Sequence, residues 1–233
     1  MLNEIVLVVF YLVILLYSII IHEISHGYVA LRLGDVTAKL AGRLNLNPMN
    51  HIDPWGSLLV PVLMLFVTGF RFAFGWAKPV PYNPYNLRNQ EWGPVLVALG
   101  GPGSNILIAT VAAILAKMIT IPAVLKSNII TSIIAADWSG LATIISGSIE
   151  AIIFVMLGMI IFWNVILAFF NLIPVPPLDG SKLLFYIVPM KSGTIMLLEQ
   201  FGFALLLFVV IFLSGPLSYF LGLMLNFFFR ITL

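Results

Sequence analysis

The sequence predicts an all-α polytopic membrane protein with about six transmembrane or half-span helices. Of its 233 residues, 61% are hydrophobic and only 9% are charged, whereas a soluble domain is about half apolar and about a quarter charged. Long apolar runs recur along the chain, so we expect the lipid bilayer as a partner and no nucleic acid. Because the chain has no cysteine, disulfides, thiolate metal sites and cysteine nucleophiles are excluded.

Five long apolar runs predict membrane-spanning helices. The first run covers about 25 Å of a hydrocarbon core that is about 30 Å thick. A sixth run, 56–70, is apolar but short, and it predicts a re-entrant or half-span helix. The five long runs are residues 5–21, 92–116, 151–170, 195–213 and 216–229.

The segment 35–92 has a different character. Leu40, Leu44 and Leu46 alternate with more polar residues in KLAGRLNLNP, and a period of two predicts a half-buried strand. We therefore expect a small membrane-associated β-hairpin after the first helix, with a strand edge that could bind an unwound substrate. The three prolines of AKPVPYNPYN predict an extended, irregular return.

The connection 119–150 carries apolar residues at helical spacing. This pattern predicts a short helix that lies on the membrane surface. The residues that form the pattern are Leu125, Ile129, Ile130, Ile133 and Ile134, with Trp138 beyond them.

The Lys and Arg residues predict the orientation, because cytoplasmic loops of membrane proteins carry an excess of them. With the N-terminus outside and segment 35–92 beginning and ending inside, only Lys117 and Lys126 fall outside. This orientation places residues 22–26 near the cytoplasmic face but within membrane depth. The cations that then fall inside are Arg32, Lys39, Arg43, Arg71, Lys78, Arg88, Lys182, Lys191 and Arg230.

His22, Glu23 and His26 follow the first apolar run directly, where ionisable groups are costly and commonly functional. Residues i and i+4 of a helix share one face, so both imidazoles can bind one metal ion. Glu23 lies beside them and can accept a proton from a water that the ion activates. Catalytic zinc typically takes three protein ligands and lowers the pKa of its water to about 7. A chance match would leave three polar groups in an apolar helix without a purpose.

A carboxylate is expected as the third ligand, because the chain has just one further histidine, His51. Asp179 is the candidate, since it follows the third long run in NLIPVPPLDG, whose prolines end the helix. Broken backbone at membrane depth is tolerated where it is buried or lines a cavity. Two alternatives stay open. Asp179 can instead cap the next helix, and His51 can approach the metal, contact substrate or, by default, stabilise the turn NHIDPWG.

The motifs HEISH and NLIPVPPLDG together resemble those of the site-2 protease family of intramembrane zinc metalloproteases. GGPGSN, at 100–105, is similar to the Gly-Pro-x-x-Asn of that family. The resemblance extends over residues 5–189. The chain carries no recognisable PDZ or CBS sequence, so it resembles the small subgroup that lacks these domains.

The resemblance implies specific roles for residues of this chain. His22, His26 and Asp179 would hold one Zn2+ per chain, and Glu23 would be the catalytic base. Asn171, eight residues before Asp179, would bind the substrate backbone.

Two further asparagines, Asn105 and Asn164, are polar groups within apolar runs. Two interpretations of them are equally open. They can donate hydrogen bonds to a substrate strand or to a developing oxyanion. They can also hold helices together.

We therefore expect an endopeptidase that cleaves transmembrane protein substrates in or next to the bilayer. Residues 1–189 would form the protease core and 190–233 a C-terminal pair of transmembrane helices, in a multi-pass protein of a prokaryotic cell membrane. A metal or proton transporter is the alternative, but its path would need polar residues along its length, and these cluster at one side. An inactive relative is disfavoured because every required residue is present.

Overall fold

The computed structural model describes residues 2–67, 69, 75–145 and 147–233, and these residues form an all-helical protein. Short 3₁₀ turns lie at Pro48–Asn50 and Pro84–Asn86, and a π-helical turn, Pro54–Leu59, leads into the third helix. The helices are α1 (Leu2–Arg32), α2 (Thr37–Leu40), α3 (Val60–Val67), α4 (Gly93–Met118), α5 (Ala123–Ile134), α6 (Trp138–Ile145), α7 (Ile149–Asn171), α8 (Gly180–Ile187), α9 (Ser192–Gln200), α10 (Gly202–Phe212) and α11 (Ser214–Thr232).

Three helices, α1, α4 and α7, are long and apolar enough to cross a membrane. The pair α9 and α10 passes the same test together, although it is bent by 62° at its break. The described residues therefore hold three or four candidate full spans, fewer than the five expected. The difference arises because α11 forms where a full span was predicted but does not pass the same test.

The predicted β-hairpin after α1 is wrong, since no strand forms among the described residues. Thr37–Leu40 is helical instead, and Gly42 adopts a φ of 64° that breaks an extended conformation. Turn hydrogen bonds satisfy the local backbone, including Arg43 N to Ala38 O at 3.0 Å. Leu40 is 81% exposed, so the alternation of leucines does not mark one buried face. The strand-edge hypothesis for substrate binding fails with the hairpin.

The expected half-span helix is present as Pro54–Val67, while residues 68 and 70 of the predicted run and Arg71 lie outside the described residues. Asp53 caps its start, because its carboxylate accepts hydrogen bonds from Trp55 N at 2.9 Å and Gly56 N at 3.3 Å. The return segment is extended and irregular over 75–83, as the prolines predicted.

The predicted helix of the 119–150 connection is also present, as α5, with α6 following it. Ile129 and Ile133 are almost fully buried and belong to the same hydrophobic core as Phe154 of α7. The apolar stripe of α5 therefore packs against protein.

The chain forms two compact units, one of Ile19–Gly101 and one of Met1–Ser18 with Pro102–Leu233. The second unit holds the main hydrophobic core, in which α7 contributes fully buried side chains such as Phe154, Met159 and Ile161. The expected division at residue 190 stays a prediction.

Within the second unit, α11 runs antiparallel to α7. A Cβ at Gly158 would lie 3.9 Å from Phe229 near the end of α11, whereas the Phe169 ring lies 6.2 Å from the rings of both Phe220 and Phe228, which precede Phe229 along that helix. Lys126 lies over the Phe154 ring and donates to the carbonyl of Thr232 at 2.8 Å. The segment between α7 and α11 therefore starts and finishes at the same end of this helix pair.

Candidate metal centre

His22, Glu23 and His26 lie together on α1, as the spacing predicted. One ligand atom from each side chain can be chosen such that all three lie within 4.8 Å of one another. The imidazole centroids of His22 and His26 are 4.7 Å apart. In the described part of the chain, this trio is the one group of three or more His, Asp or Glu side chains that could hold a metal ion.

The ring of His26 is oriented by the backbone of α4. Its Nδ1 lies 2.7 Å from the carbonyl oxygen of Val97. A carbonyl oxygen accepts but does not donate, so Nδ1 carries the proton and Nε2 keeps its lone pair. Such a backbone partner fixes the tautomer and orientation of a metal-binding histidine.

Gly101 lies directly beside both imidazoles. A Cβ on Gly101 would be 2.5 Å from His26 Nε2 and 2.6 Å from His22 Nε2. Real Cβ contacts are not this close, so any side chain at position 101 would displace the rings. The two Nε2 atoms thus face a space that exists because residue 101 is glycine.

These donors suit zinc. Two imidazole nitrogens at i and i+4, one with its tautomer set by a carbonyl, and a nearby carboxylate form a set of nitrogen and oxygen ligands that Zn2+ accepts. His22 is buried, whereas Glu23 and His26 are half-buried. The residues present therefore fit the metal that the motif implies.

Glu23 is held by a backbone amide outside its own helix. Its Oε2 accepts a hydrogen bond from Val80 N at 2.9 Å. This donor belongs to the extended return segment, in which Pro79 and Pro81 flank Val80 and have no N–H to offer. A carboxylate has two oxygens, so holding one of them orients the other for proton transfer.

Comparison with known families identifies the family of the chain. The model of peptidase family M50 matches residues 10–215, a range that contains the trio and Asp179. The chain belongs to peptidase family M50. The predicted resemblance to site-2 proteases is thereby confirmed, and this M50 peptidase is a metalloendopeptidase that resides in a membrane.

Curated relatives agree with this assignment. The chain is 36% identical over 218 residues to the Bacillus subtilis protein named "Putative zinc metalloprotease YwhC", covering 93% of this chain and 86% of the relative. It is 30% identical over 202 residues to the protein named "Putative zinc metalloprotease Rip2" from Mycolicibacterium smegmatis, covering 86% of this chain and 65% of that relative. No solved structure matches the chain significantly.

Asp179 of this M50 peptidase lies directly before α8, in the second compact unit. Its side chain makes no capping hydrogen bond to α8, which disfavours the alternative that it serves merely as a helix cap. The side chain is half-buried. Its role as the third metal ligand stays a prediction.

Asn105 and Asn164 bind each other. Asn105 Nδ2 donates to Asn164 Oδ1 at 2.7 Å, and Asn164 Nδ2 donates to Ser18 Oγ at 2.9 Å. All three residues are almost fully buried. This network favours the interpretation that the asparagines hold α1, α4 and α7 together, and their contact with substrate stays a prediction.

The structure places the two remaining candidates, Asn171 and His51, in local hydrogen bonds. Asn171 Nδ2 donates to Leu167 O of its own helix at 2.9 Å, and its substrate role stays a prediction. His51 is buried, and its Nε2 lies 2.8 Å from Asn45 O. This contact matches the default interpretation of His51 as a residue that stabilises its turn.

Sequence reasoning missed the backbone groups of the site. The carbonyl of Val97 and the amide of Val80 act through atoms that every residue has, so no residue type announces them. One signal was nevertheless available, because Pro79 and Pro81 leave Val80 as the one amide donor among residues 79–81.

Proposed function

We propose that this M50 peptidase is an intramembrane zinc endopeptidase that cleaves transmembrane protein substrates in or next to the bilayer. One observation carries the proposal: His22 Nε2 and His26 Nε2 both face the space at Gly101, next to a carboxylate held by Val80 N. The site lies on α1, a helix long and apolar enough to span a membrane.

The proposed zinc ligands are His22, His26 and Asp179, with one ion per chain. When bound, zinc supplies Lewis-acid activation of water and of the scissile carbonyl. Glu23 accepts the proton of the attacking water on a carboxylate oxygen and delivers it to the leaving amine. The Val97 carbonyl keeps His26 in the tautomer that leaves Nε2 available.

Asn171 is the proposed contact for the substrate backbone. A transmembrane helix has its carbonyls bonded internally, so cleavage requires local unwinding and new partners for those groups. Asn171 ends α7, one of the three candidate spans, and its amide could bind such a released group.

The proposed orientation has the N-terminus outside and the active site near the cytoplasmic side of a prokaryotic cell membrane. The excess of Lys and Arg in the segments placed inside supports it. In this orientation Arg230 lies outside, together with Lys117 and Lys126, and not inside as the sequence predicted. The reason is that Lys126 Nζ donates to the carbonyls of Ala116, Lys117 and Thr232, so the end of α11 lies beside the end of α4.

The test uses the full chain in proteoliposomes with a panel of single-span reporter proteins, and the variants are assayed on the reporters that the unaltered protein cleaves. Glu23→Gln should keep its zinc and lose cleavage by about 10²- to 10⁴-fold, since it removes the proton acceptor. Asp179→Asn should lower zinc affinity as well as cleavage. Asp137→Asn is the matched control, because Asp137 is exposed and its carboxylate accepts from Ser139 and Gly140 in its own local turn.

Each result has a contrary outcome. Undiminished cleavage by Glu23→Gln would refute the catalytic role, and unchanged zinc affinity in Asp179→Asn would refute the ligand assignment. Zinc or proton flux through proteoliposomes that survives Glu23→Gln, without cleavage of any reporter by the unaltered protein, would favour the transporter alternative.

A further inference from the structure

Asp35 is a fully buried carboxylate just beyond the C-terminal end of α1, and it lies outside the metal-binding trio. Its relative exposure is 0%. Oδ1 accepts from Thr37 N at 3.1 Å, from Thr37 Oγ1 at 2.5 Å and from Asn86 Nδ2 at 2.9 Å. Oδ2 accepts from Asn83 N at 2.7 Å. Burial by itself would raise the pKa of Asp35, but these hydrogen bonds outweigh it and hold the pKa below its usual value.

The two oxygens of Asp35 serve different parts of the chain. The bonds from Thr37, the first residue of the short helix α2, are local. The bond to Oδ2 fixes Asn83, which lies 48 positions away in sequence. Asn83 is the last residue of a segment that we call the proline strap, residues 78–83, with the sequence KPVPYN.

The proline strap reaches from Asp35 to Glu23. Pro79 and Pro81 fix their own φ angles and keep the residues before them extended, so the strap is stiff. Its Val80 N–H is the donor to Glu23 Oε2. Val80 is three residues from Asn83, a distance of about 10 Å in extended chain.

The other end of the proline strap is also fixed. Lys78 N donates to the carbonyl of His51 at 2.9 Å, and Lys78 O accepts from the Arg43 guanidinium at 2.7 Å. Asp35 therefore provides one of two anchors of a short, stiff segment whose middle amide contacts the proposed base. A shift at either anchor moves the Val80 amide.

We propose that Asp35 is a positioning residue: through Asn83 and the proline strap it keeps Val80 N–H on Glu23 Oε2, and so it orients the carboxylate for proton transfer. The inference rests on the proposed role of Glu23. Asp35 touches neither substrate nor metal. Its effect is transmitted along the strap, so its loss should lower kcat while substrate binding and zinc content stay unchanged.

Asp35→Asn tests this with little change of shape. The amide Oδ1 can still accept from Thr37 and Asn86. Nδ2 is a donor, so it cannot accept from Asn83 N, and two N–H donors would then face each other. We expect kcat for reporter cleavage to fall about 10-fold or more, as is typical for groups that orient metal-site residues. KM and zinc stoichiometry should stay at their original values.

Thr37→Val is the matched control, because it removes the Thr37 Oγ1 donor to Asp35 and leaves the strap bond intact. Its kcat should equal that of the unaltered enzyme. An equal fall of kcat in Thr37→Val and Asp35→Asn would overturn the proposal, because it would show that the local turn matters rather than the strap. Asn86→Ser provides a milder second variant in case Asp35→Asn does not fold. Unlike Thr37, Asn86 lies in the turn Pro84–Asn86 that directly follows Asn83, so its bond to Oδ1 also ties this end of the strap to Asp35. A fall in its kcat at constant KM is the expected result, and an unchanged kcat would overturn the proposal.

A double-mutant cycle tests whether Asp35 acts on Glu23 through the Val80 amide. Val80→Pro removes the amide donor itself, so Asp35→Asn should add no further loss of kcat in that background. If the two losses multiply instead, Asp35 does not act through Val80 and the proposal fails. Glu23→Gln separates this failure from that of the proposed function: inactive Glu23→Gln with fully active Asp35→Asn would refute the positioning role alone.

Discussion

The Lys126 ammonium donates a hydrogen bond of 2.8 Å to the carbonyl oxygen of Thr232, which is 106 positions away in sequence. Lys126 is 5% exposed and lies 3.4 Å from the carbonyls of Ala116 and Lys117 as well. One cation thus satisfies the carbonyl ends of α4 and α11, where the helix dipoles are negative.

Lys126→Met should destabilise the protein. The variant keeps most of the apolar stem but leaves buried carbonyls without their charged donor, and we expect a loss of about 1–3 kcal/mol in unfolding free energy. Denaturant unfolding in detergent measures it. Lys117→Met is the control, since Lys117 is exposed, and equal stability of Lys126→Met and the unaltered protein would contradict the stabilising role.

Gly101→Ala should weaken zinc binding. The added methyl group would lie 2.5 to 2.6 Å from the Nε2 atoms of His26 and His22, so the imidazoles must move apart. We expect zinc affinity to fall about 10- to 100-fold, as measured by competition with a chelator. Gly103→Ala is a matched control on the same helix, because a Cβ there meets nothing within 4 Å. Equal zinc affinity of the two variants would show that Gly101 does not shape the site.

Asn164→Leu should reduce stability rather than substrate affinity. It removes both the acceptor for Asn105 Nδ2 and the donor to Ser18 Oγ, and the expected cost is about 1 kcal/mol. Thermal unfolding and the KM for a reporter protein separate the two interpretations of this residue. A raised KM with unchanged stability would instead establish contact with substrate.

Gly202→Val should disturb the loop that carries Asp179. A Cβ on Gly202 would lie 2.8 Å from Pro176 Cβ and 3.0 Å from Pro176 C, so the side chain would push against the backbone three residues before Asp179. If Asp179 is a ligand, zinc affinity should fall about 10-fold, as measured with the chelator assay. Gly193→Ala, which meets nothing within 4 Å, should behave like the unaltered protein. Unchanged zinc affinity in Gly202→Val would show that the loop carrying Asp179 does not contribute to metal binding.

The long helices could be predicted because an uncharged run of membrane length leaves the backbone few alternatives. The cores of α1, α4 and α7 follow from that constraint alone. The segment after α1 could not be predicted in the same way, because alternation of Leu40, Leu44 and Leu46 indicates a strand only where a neighbouring strand completes its hydrogen bonds. Here local turns satisfy the backbone instead.

The metal-binding trio could be predicted because helical geometry by itself brings residues i and i+4 together. What surrounds the trio could not. The Val97 carbonyl and the Val80 amide belong to residues 71 and 57 positions from their partners, and their roles depend on tertiary packing. Asp35 was missed for a similar reason, since a single aspartate after a helix gives no sign of the distant amide that it holds.

The antiparallel arrangement of α7 and α11 limits how often the chain between them can cross the bilayer. If both helices cross the bilayer, that chain must begin and end on the same side of it. The bent pair α9 and α10 must then enter and leave by the same leaflet, so it contributes no net crossing. The start of α5 and the end of α11 would then face the same aqueous compartment. Because the native chain has no cysteine, thiol labels introduced at Ser127 and at Arg230, both exposed, would be reached by an impermeant reagent from the same side of a sealed vesicle.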